Sequence, residues 1–146
     1  HEVIVGVKTN TKPIICVGET LAQREAGDAR SIIERQIAKA LDGIDDAGNL
    51  VVAYEPVWAI GTGLPATPEL AAEIMDDVIL KTLRSLFGDP AALEVPLLYG
   101  GSVTPDSIQG FVEQSCIHGA LVGGASLKPD DFTEIVRTVA HIKGID

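Results

Sequence analysis

A carboxylate stands at the end of an apolar, strand-like run, the position where α/β proteins carry most of their chemistry. Glu55 directly follows the run LVVAY at residues 50–54, and Pro56, Val57 and Trp58 come next. A carboxylate among apolar neighbours is partly desolvated, which raises its pKa and prepares it to act as a general base. The competing interpretation is structural, with Glu55 capping a neighbouring helix or forming an ion pair.

Two further apolar, strand-like runs are followed directly by paired glycines. Gly100 and Gly101 precede Ser102 after one run, and Gly123 and Gly124 follow the last run. Paired glycines allow backbone N–H groups to approach an anion closely. A tight turn explains either pair taken alone, whereas two neighbouring strand ends of this kind are typical of a barrel phosphate site.

The elements that would position these residues alternate along the chain. Strands are predicted at 13–18, 50–54, 95–99 and 119–123, and helices at 28–41, 68–87, 105–115 and 129–142. A Thr-Pro-acid sequence, typical of a helix N-terminus, begins the second and third helices. This β-α order predicts an α/β fold with a parallel sheet and right-handed crossovers.

Four βα units are half of an eight-unit (β/α)8 barrel, which typically needs about 250 residues. The close spacing of the last two units favours half a barrel, while the periodicity alone leaves a doubly wound open sheet possible. We expect residues 1–146 to form a single domain. Residues 3–7, VIVGV, are interpreted as a strand or a non-native junction, which makes 1–12 an atypical N-terminal segment.

The composition narrows the class of partner. A net charge of −10, from 21 acidic and 11 basic residues, disfavours binding to nucleic acid or to anionic membranes. An anionic substrate would therefore need a local positive field from backbone N–H groups. Cys16 is predicted to be a buried, reduced residue, and the two cysteines fit a reducing compartment such as the cytoplasm. We expect neither a signal peptide nor a membrane span.

Three longer strings resemble the triosephosphate isomerase family. They are AYEPVWAIGTG at 53–63, YGGSV at 99–103 and LVGGASL at 121–127. CVGETL at 16–21, followed by REAG at 24–27, is similar to that family's fifth strand and its helical continuation. The resemblance runs in order from about residue 13 to residue 142, and it implies the C-terminal half of a TIM barrel, strands five to eight.

The resemblance implies a role for each of several residues. Glu55 would be the catalytic base, and residues 56–66 would form a lid that closes over the substrate. Gly61, Ser102, Gly123 and Gly124 would donate N–H groups to the substrate phosphate. Tyr99 and Ser102 would bond the closed lid near residues 63 and 66, while Glu19 and Arg24 would be supporting residues. The lid exit, residues 64–66, is Leu-Pro-Ala, where many relatives have a Lys-containing tripeptide. Pro65 fixes one φ angle there and is expected to stiffen that hinge.

Other groups that the family uses cannot be located in this chain. The family's Asn, Lys, His electrophile and second Glu come from the first four units of the barrel. His1, His118 and His141 are interpreted as structural or solvent-facing. No cofactor or metal is implied, because no residues have metal-ligand spacing.

The chain is therefore expected to interconvert dihydroxyacetone phosphate and glyceraldehyde 3-phosphate when an N-terminal half-barrel completes it, in an enzyme that is a homo-oligomer in its family. The alternative is an inactive, self-associating fragment that pairs with a second copy of itself and at most binds phosphate. A third, weaker possibility is another phosphate-binding barrel enzyme, against which the Glu-Pro-Val-Trp lid argues.

Overall fold

The structure, a computed structural model, describes residues 2–9, 11–60 and 66–145. Its strands are β1 (Ile14–Val17), β2 (Val51–Tyr54), β3 (Leu97–Tyr99) and β4 (Gly119–Ala120). Its helices are α1 (Glu2–Lys8), α2 (Leu21–Glu25), α3 (Ala29–Ala40), α4 (Pro68–Ile74), α5 (Lys81–Phe87), α6 (Asp89–Leu93), α7 (Pro105–Val112) and α8 (Pro129–Lys143). No helix among these residues is both long and apolar enough to cross a membrane.

The strands form one parallel sheet in the order β1-β2-β3-β4. Cys16 lies opposite Ala53, and Tyr54 lies opposite Tyr99, so the strands end at a common edge. A sequential parallel order with a helix after each strand is the arrangement of half a (β/α)8 barrel. The predicted α/β half-barrel is therefore confirmed.

Only one face of the outer strand β1 is covered. Ile15 and Val17 are buried, whereas Ile14 is 47% exposed and Cys16 is also exposed. Side chains alternate between the two faces of a strand, and helix α3 packs against one of them. The prediction that Cys16 is buried was wrong, because this residue points to the uncovered inner face of the sheet.

The N-terminal segment is helical, so its interpretation as a strand was also wrong. Val3 and Val7, one helical turn apart, pack against the hydrophobic core. β-Branched residues favour strands only weakly, and packing of a helical face overrides that preference.

The helix that begins at Pro68 is continuous but irregular. A π-helical turn, Met75–Leu80, joins α4 to α5, and the Arg30 guanidinium on α3 donates to the carbonyl of Asp77 within it at 3.0 Å. Thr67 and Thr104 accept N-cap hydrogen bonds at the starts of α4 and α7, as their sequences predicted. Helix α6 was not predicted, because its five residues are too few to show a periodic pattern.

Candidate active site

Glu55 lies at the end of β2, held between its two neighbouring strands. Its N–H donates to the Val17 carbonyl at 2.7 Å, while the Gly100 N–H donates to the Tyr54 carbonyl at 2.8 Å. A side chain at Gly100 would put its Cβ 2.5 Å from Glu55 Cγ, and one at Gly18 would put it 1.8 Å from the Glu55 carbonyl oxygen. Glycine is therefore needed on both sides of Glu55 for this close approach.

The side chain of Glu55 is half-buried on the inner face of the sheet. Within the described residues it takes part in no ion pair, so its structural interpretation gains no support there. Cys16 shares this face, because it lies opposite Ala53, two residues before Glu55. Burial, followed by the charge of Glu55 and a hydrogen bond to it, raises the pKa of the Cys16 thiol.

A buried carboxylate anchors the segment on both sides of Glu55. Glu19 is fully buried and accepts hydrogen bonds from the Tyr54 hydroxyl at 3.2 Å and the Trp58 indole N–H at 2.8 Å. The Arg24 guanidinium forms an ion pair with the same carboxylate at 3.2 Å and lies 5.2 Å from the centre of the Trp58 ring. These contacts agree with the supporting role expected for Glu19 and Arg24, which stays a prediction.

This network also affects Tyr54, the residue before Glu55. Burial is the largest cause that raises the pKa of the Tyr54 hydroxyl, and the Glu19 charge adds to it. The hydroxyl therefore remains a hydrogen-bond donor at neutral pH.

The glycine-rich strand ends meet at one cavity of about 280 Å³. It lies beyond the carboxyl ends of β3 and β4 and is lined by Ile60, Gly100, Gly101, Ser102, Val103, Gly123, Gly124 and Ala125. A short 3₁₀ turn, Gly124–Leu127, begins at this cavity. The N–H and hydroxyl of Ser126 both donate to the Gly123 carbonyl, at 2.9 and 2.7 Å, and close the turn.

This geometry is suited to an anion, because the first N–H groups of a helical turn have no acceptor within it. Gly123 and Gly124 are exposed and carry no side chain between these N–H groups and a ligand. The Ser102 N–H, which also lines the cavity, donates to the Ala59 carbonyl at 3.4 Å, a long and therefore weak hydrogen bond. The structure thus brings three of the four expected phosphate-binding residues together, and Gly61 lies outside the described residues.

Tyr99 lies beneath this cavity, where its ring stacks on Phe111 with centroids 4.0 Å apart. Its hydroxyl is buried, and burial raises its pKa while the backbone of Ala66 lowers it. Ala66 thus lies close enough to affect this hydroxyl, but within the described residues the expected hydrogen bond from Tyr99 to the lid does not form with normal geometry. The expected contact between Ser102 and Gly63 falls outside these residues.

The described histidines lie away from Glu55. His118 is at the opposite end of the sheet, where its Nδ1 accepts a hydrogen bond from the Leu97 N–H at 3.0 Å. His141 lies in α8, and His1 is outside the described residues. Across residues 2–9, 11–60 and 66–145, no three His, Cys, Asp or Glu side chains are grouped so that they could hold a metal ion.

The stability of the chain is expected to depend on His118 in mildly acidic solution. Burial, and then the charge of Lys143, lower the pKa of His118. The native state then binds fewer protons than the unfolded state, so stability falls as the pH drops below the unfolded value of about 6.5. Urea unfolding should show a smaller loss of stability between about pH 7.5 and pH 5.5 for His118→Gln than for the parent chain. An equal loss in both would contradict this assignment.

One structural residue near Glu55 was missed in the sequence. Gln36 on α3 holds the backbone of Gly18, with Oε1 accepting from the Gly18 N–H at 2.9 Å and Nε2 donating to its carbonyl at 3.0 Å. Gln36 lies one turn after the buried Ile32 and Ile33, on the core-facing side of α3. An amide at a core-facing helical position was the available signal.

Comparison with known proteins agrees with this geometry. The family model described as triosephosphate isomerase matches residues 2–139. The triosephosphate isomerase of Caldanaerobacter subterraneus subsp. tengcongensis is 48% identical over 138 residues, which are 93% of this chain and 55% of the relative. That of Rhodopirellula baltica is 48% identical over 139 residues, 94% of this chain and 53% of the relative. That of Roseiflexus sp. is 52% identical over 127 residues, 86% of this chain and 50% of the relative.

The chain thus spans about half the length of the curated relatives that it matches. The family match begins at residue 2, within the N-terminal helix that the sequence did not predict. The extent of the match and the parallel half-barrel lead to the same assignment: the chain belongs to the triosephosphate isomerase family.

Proposed function

We propose that this chain supplies the base and the phosphate site of a triosephosphate isomerase, which interconverts dihydroxyacetone phosphate and D-glyceraldehyde 3-phosphate. The observation that carries the proposal is the common edge at which Glu55 and the glycine-rich cavity lie. Gly100 joins the two, because it contacts the Glu55 side chain and also lines the cavity. A substrate held by its phosphate in the cavity would therefore have its carbon atoms near the carboxylate.

The reaction needs the Glu55 carboxylate to remove a proton from one carbon beside the substrate carbonyl and to return it to the other. Backbone N–H groups of Gly61, Ser102, Gly123 and Gly124 would hold the phosphate. Neutral donors of this kind bind an anion through local dipoles, which offsets the repulsion from the net charge of −10. No cofactor enters this scheme.

A second half-barrel would supply the group that polarises the carbonyl, and we propose that it is the N-terminal half of the same enzyme. Support comes from a second cavity of about 380 Å³ between β4 and α8, whose lining is almost wholly apolar. There Phe132 and Val136 are 40% and 49% exposed. A partner strand and its helix would cover these side chains.

We propose a single domain over residues 1–146, a cytoplasmic location and a homo-oligomeric state for the complete enzyme.

Mixing the chain with a separately made N-terminal half of the Caldanaerobacter relative tests this proposal. We expect isomerase activity to appear in the mixture, measured by coupling glyceraldehyde 3-phosphate to its dehydrogenase, and to be absent from either half alone. An inert mixture of two folded halves that form a complex would contradict the proposal.

The second candidate function is self-association without catalysis, with a second copy of the chain in place of the N-terminal half. It is favoured by the same apolar cavity and by the exposed Ile14 at the other edge of the sheet. Open sheet edges promote pairing between chains. Sedimentation measurements distinguish this candidate from the isomerase half. A stable, inactive dimer whose subunits are not displaced by the N-terminal half supports self-association, and a monomer opposes it.

A further inference from the structure

The backbone just after β1 has an unusual partner in the side chain of Gln36. The Gln36 amide makes two hydrogen bonds with Gly18, one accepted from its N–H at 2.9 Å and one donated to its carbonyl at 3.0 Å. A side-chain amide presents one acceptor and one donor group, as a backbone peptide does. Since β1 ends at Val17, the Gln36 amide forms with Gly18 the kind of paired hydrogen bonds that a neighbouring strand would otherwise form.

Gly18 in turn lies directly against the peptide that links Glu55 to Pro56. A Cβ at Gly18 would lie 1.8 Å from the Glu55 oxygen, 2.5 Å from its carbonyl carbon and 3.2 Å from Pro56 N. The space beside Gly18 is therefore already filled by this peptide, and groups packed so closely cannot move independently. The position of Gly18 therefore limits where the backbone of Glu55 can lie.

We propose that Gln36 is a positioning residue for the base: it fixes the backbone of Gly18, and Gly18 braces the carbonyl of Glu55. The inference rests on the proposed function in so far as Glu55 is the base. Gln36 itself touches neither the Glu55 carboxylate nor the glycine-rich cavity in any contact found among the described residues. Its effect on Glu55 is therefore indirect and passes through the backbone of Gly18.

This brace differs from an ordinary contribution to stability. The network of Glu19 holds Tyr54 and Trp58 by their side chains, whereas Gln36 acts on the main chain from the side of β1. Misplacement of a catalytic group by about 1 Å can slow a reaction by up to about 100-fold. Loss of the brace is therefore expected to lower the turnover of molecules that remain folded and bind substrate normally.

Three variants separate these effects. Gln36→Leu removes both hydrogen bonds at similar size, and Gln36→Glu retains an acceptor for the Gly18 N–H but loses the donor. Gln109→Leu is the matched control, because Gln109 is an exposed helical glutamine on α7 whose hydrogen bond within the described residues is local, to Glu113 at 2.7 Å. Amide hydrogen exchange at Gly18 and the backbone chemical shifts of Glu55 are measured in the chain alone. The kcat and KM are measured after completion with the N-terminal half.

For Gln36→Leu we expect faster exchange at Gly18, shifted Glu55 resonances and a fall in kcat of about tenfold with KM unchanged. Gln36→Glu should retain protection of the Gly18 N–H and a larger share of kcat, and it is the decisive variant if Gln36→Leu does not fold. An unchanged kcat in a folded, completed variant would overturn the proposal. If the completed parent chain is inactive, the proposed function fails instead. The Glu55 resonances then decide whether the brace exists, and unshifted resonances in Gln36→Leu overturn it.

Discussion

Glu55→Gln, completed with the N-terminal half, is expected to lose isomerase activity by a factor of about 10³ or more, the upper part of the range for general acid–base catalysis. The amide has the size of the carboxylate, so its contact with Gly100 is preserved, but it cannot accept a proton from carbon. Because the proposed phosphate site consists of backbone groups of the cavity, KM should change much less than kcat. Initial rates over a range of substrate concentrations separate the two.

Two further variants test whether the loss of activity is due to the Glu55 carboxylate itself. Glu73→Gln removes an exposed carboxylate on α4 and should leave the activity unchanged. Glu55→Asp keeps the charge but withdraws the carboxylate by one methylene, so an intermediate loss is expected. Substantial activity in folded Glu55→Gln would mean that another group is the base.

Glu19→Ala is expected to be the most destabilising single substitution discussed here, with a loss of about 3–5 kcal/mol in the free energy of unfolding. The variant leaves the Tyr54 hydroxyl, the Trp58 indole and the Arg24 guanidinium without their shared buried acceptor. That loss is a large part of the free energy of unfolding of a typical domain, which is about 10 kcal/mol. Urea unfolding followed by tryptophan fluorescence measures it, since Trp58 is the only tryptophan in the chain.

The control for Glu19→Ala is Glu34→Ala. Glu34 forms an ion pair with Arg30 at 3.4 Å, and both side chains are about half exposed, at 44% and 56%. Surface pairs of this kind contribute about 0–1 kcal/mol, so the control should unfold almost as the parent does. Equal losses in the two variants would show that burial of the Glu19 carboxylate has no special energetic role.

The sheet and the site were predictable where local sequence determines local structure. Apolar runs and Thr-Pro helix starts identified all four strands and most of the helices, because caps and periodicity act within a few residues. Glu55 and the cavity glycines were predictable for another reason: parallel strands end at one edge, so residues that follow them meet there.

The errors share a different cause. The helical state of residues 2–8 and the exposure of Cys16 depend on which surfaces the rest of the fold covers, and local sequence does not carry that information. Gln36 was missed because its partner Gly18 lies in another element, and the pairing exists only after α3 has packed on β1. Contacts between elements that are distant in the sequence, such as Gln36 with Gly18, cannot be predicted from the local sequence pattern.

The order β1-β2-β3-β4 has a consequence for how the chain folds. Each strand pairs with the one synthesised just before it, so every pairing closes a loop of only a few tens of residues. The entropic cost of closing such loops is modest, and it does not grow as the chain lengthens. Assembly can therefore proceed unit by unit from the ribosome, with each new strand and helix docking on a surface that has already formed.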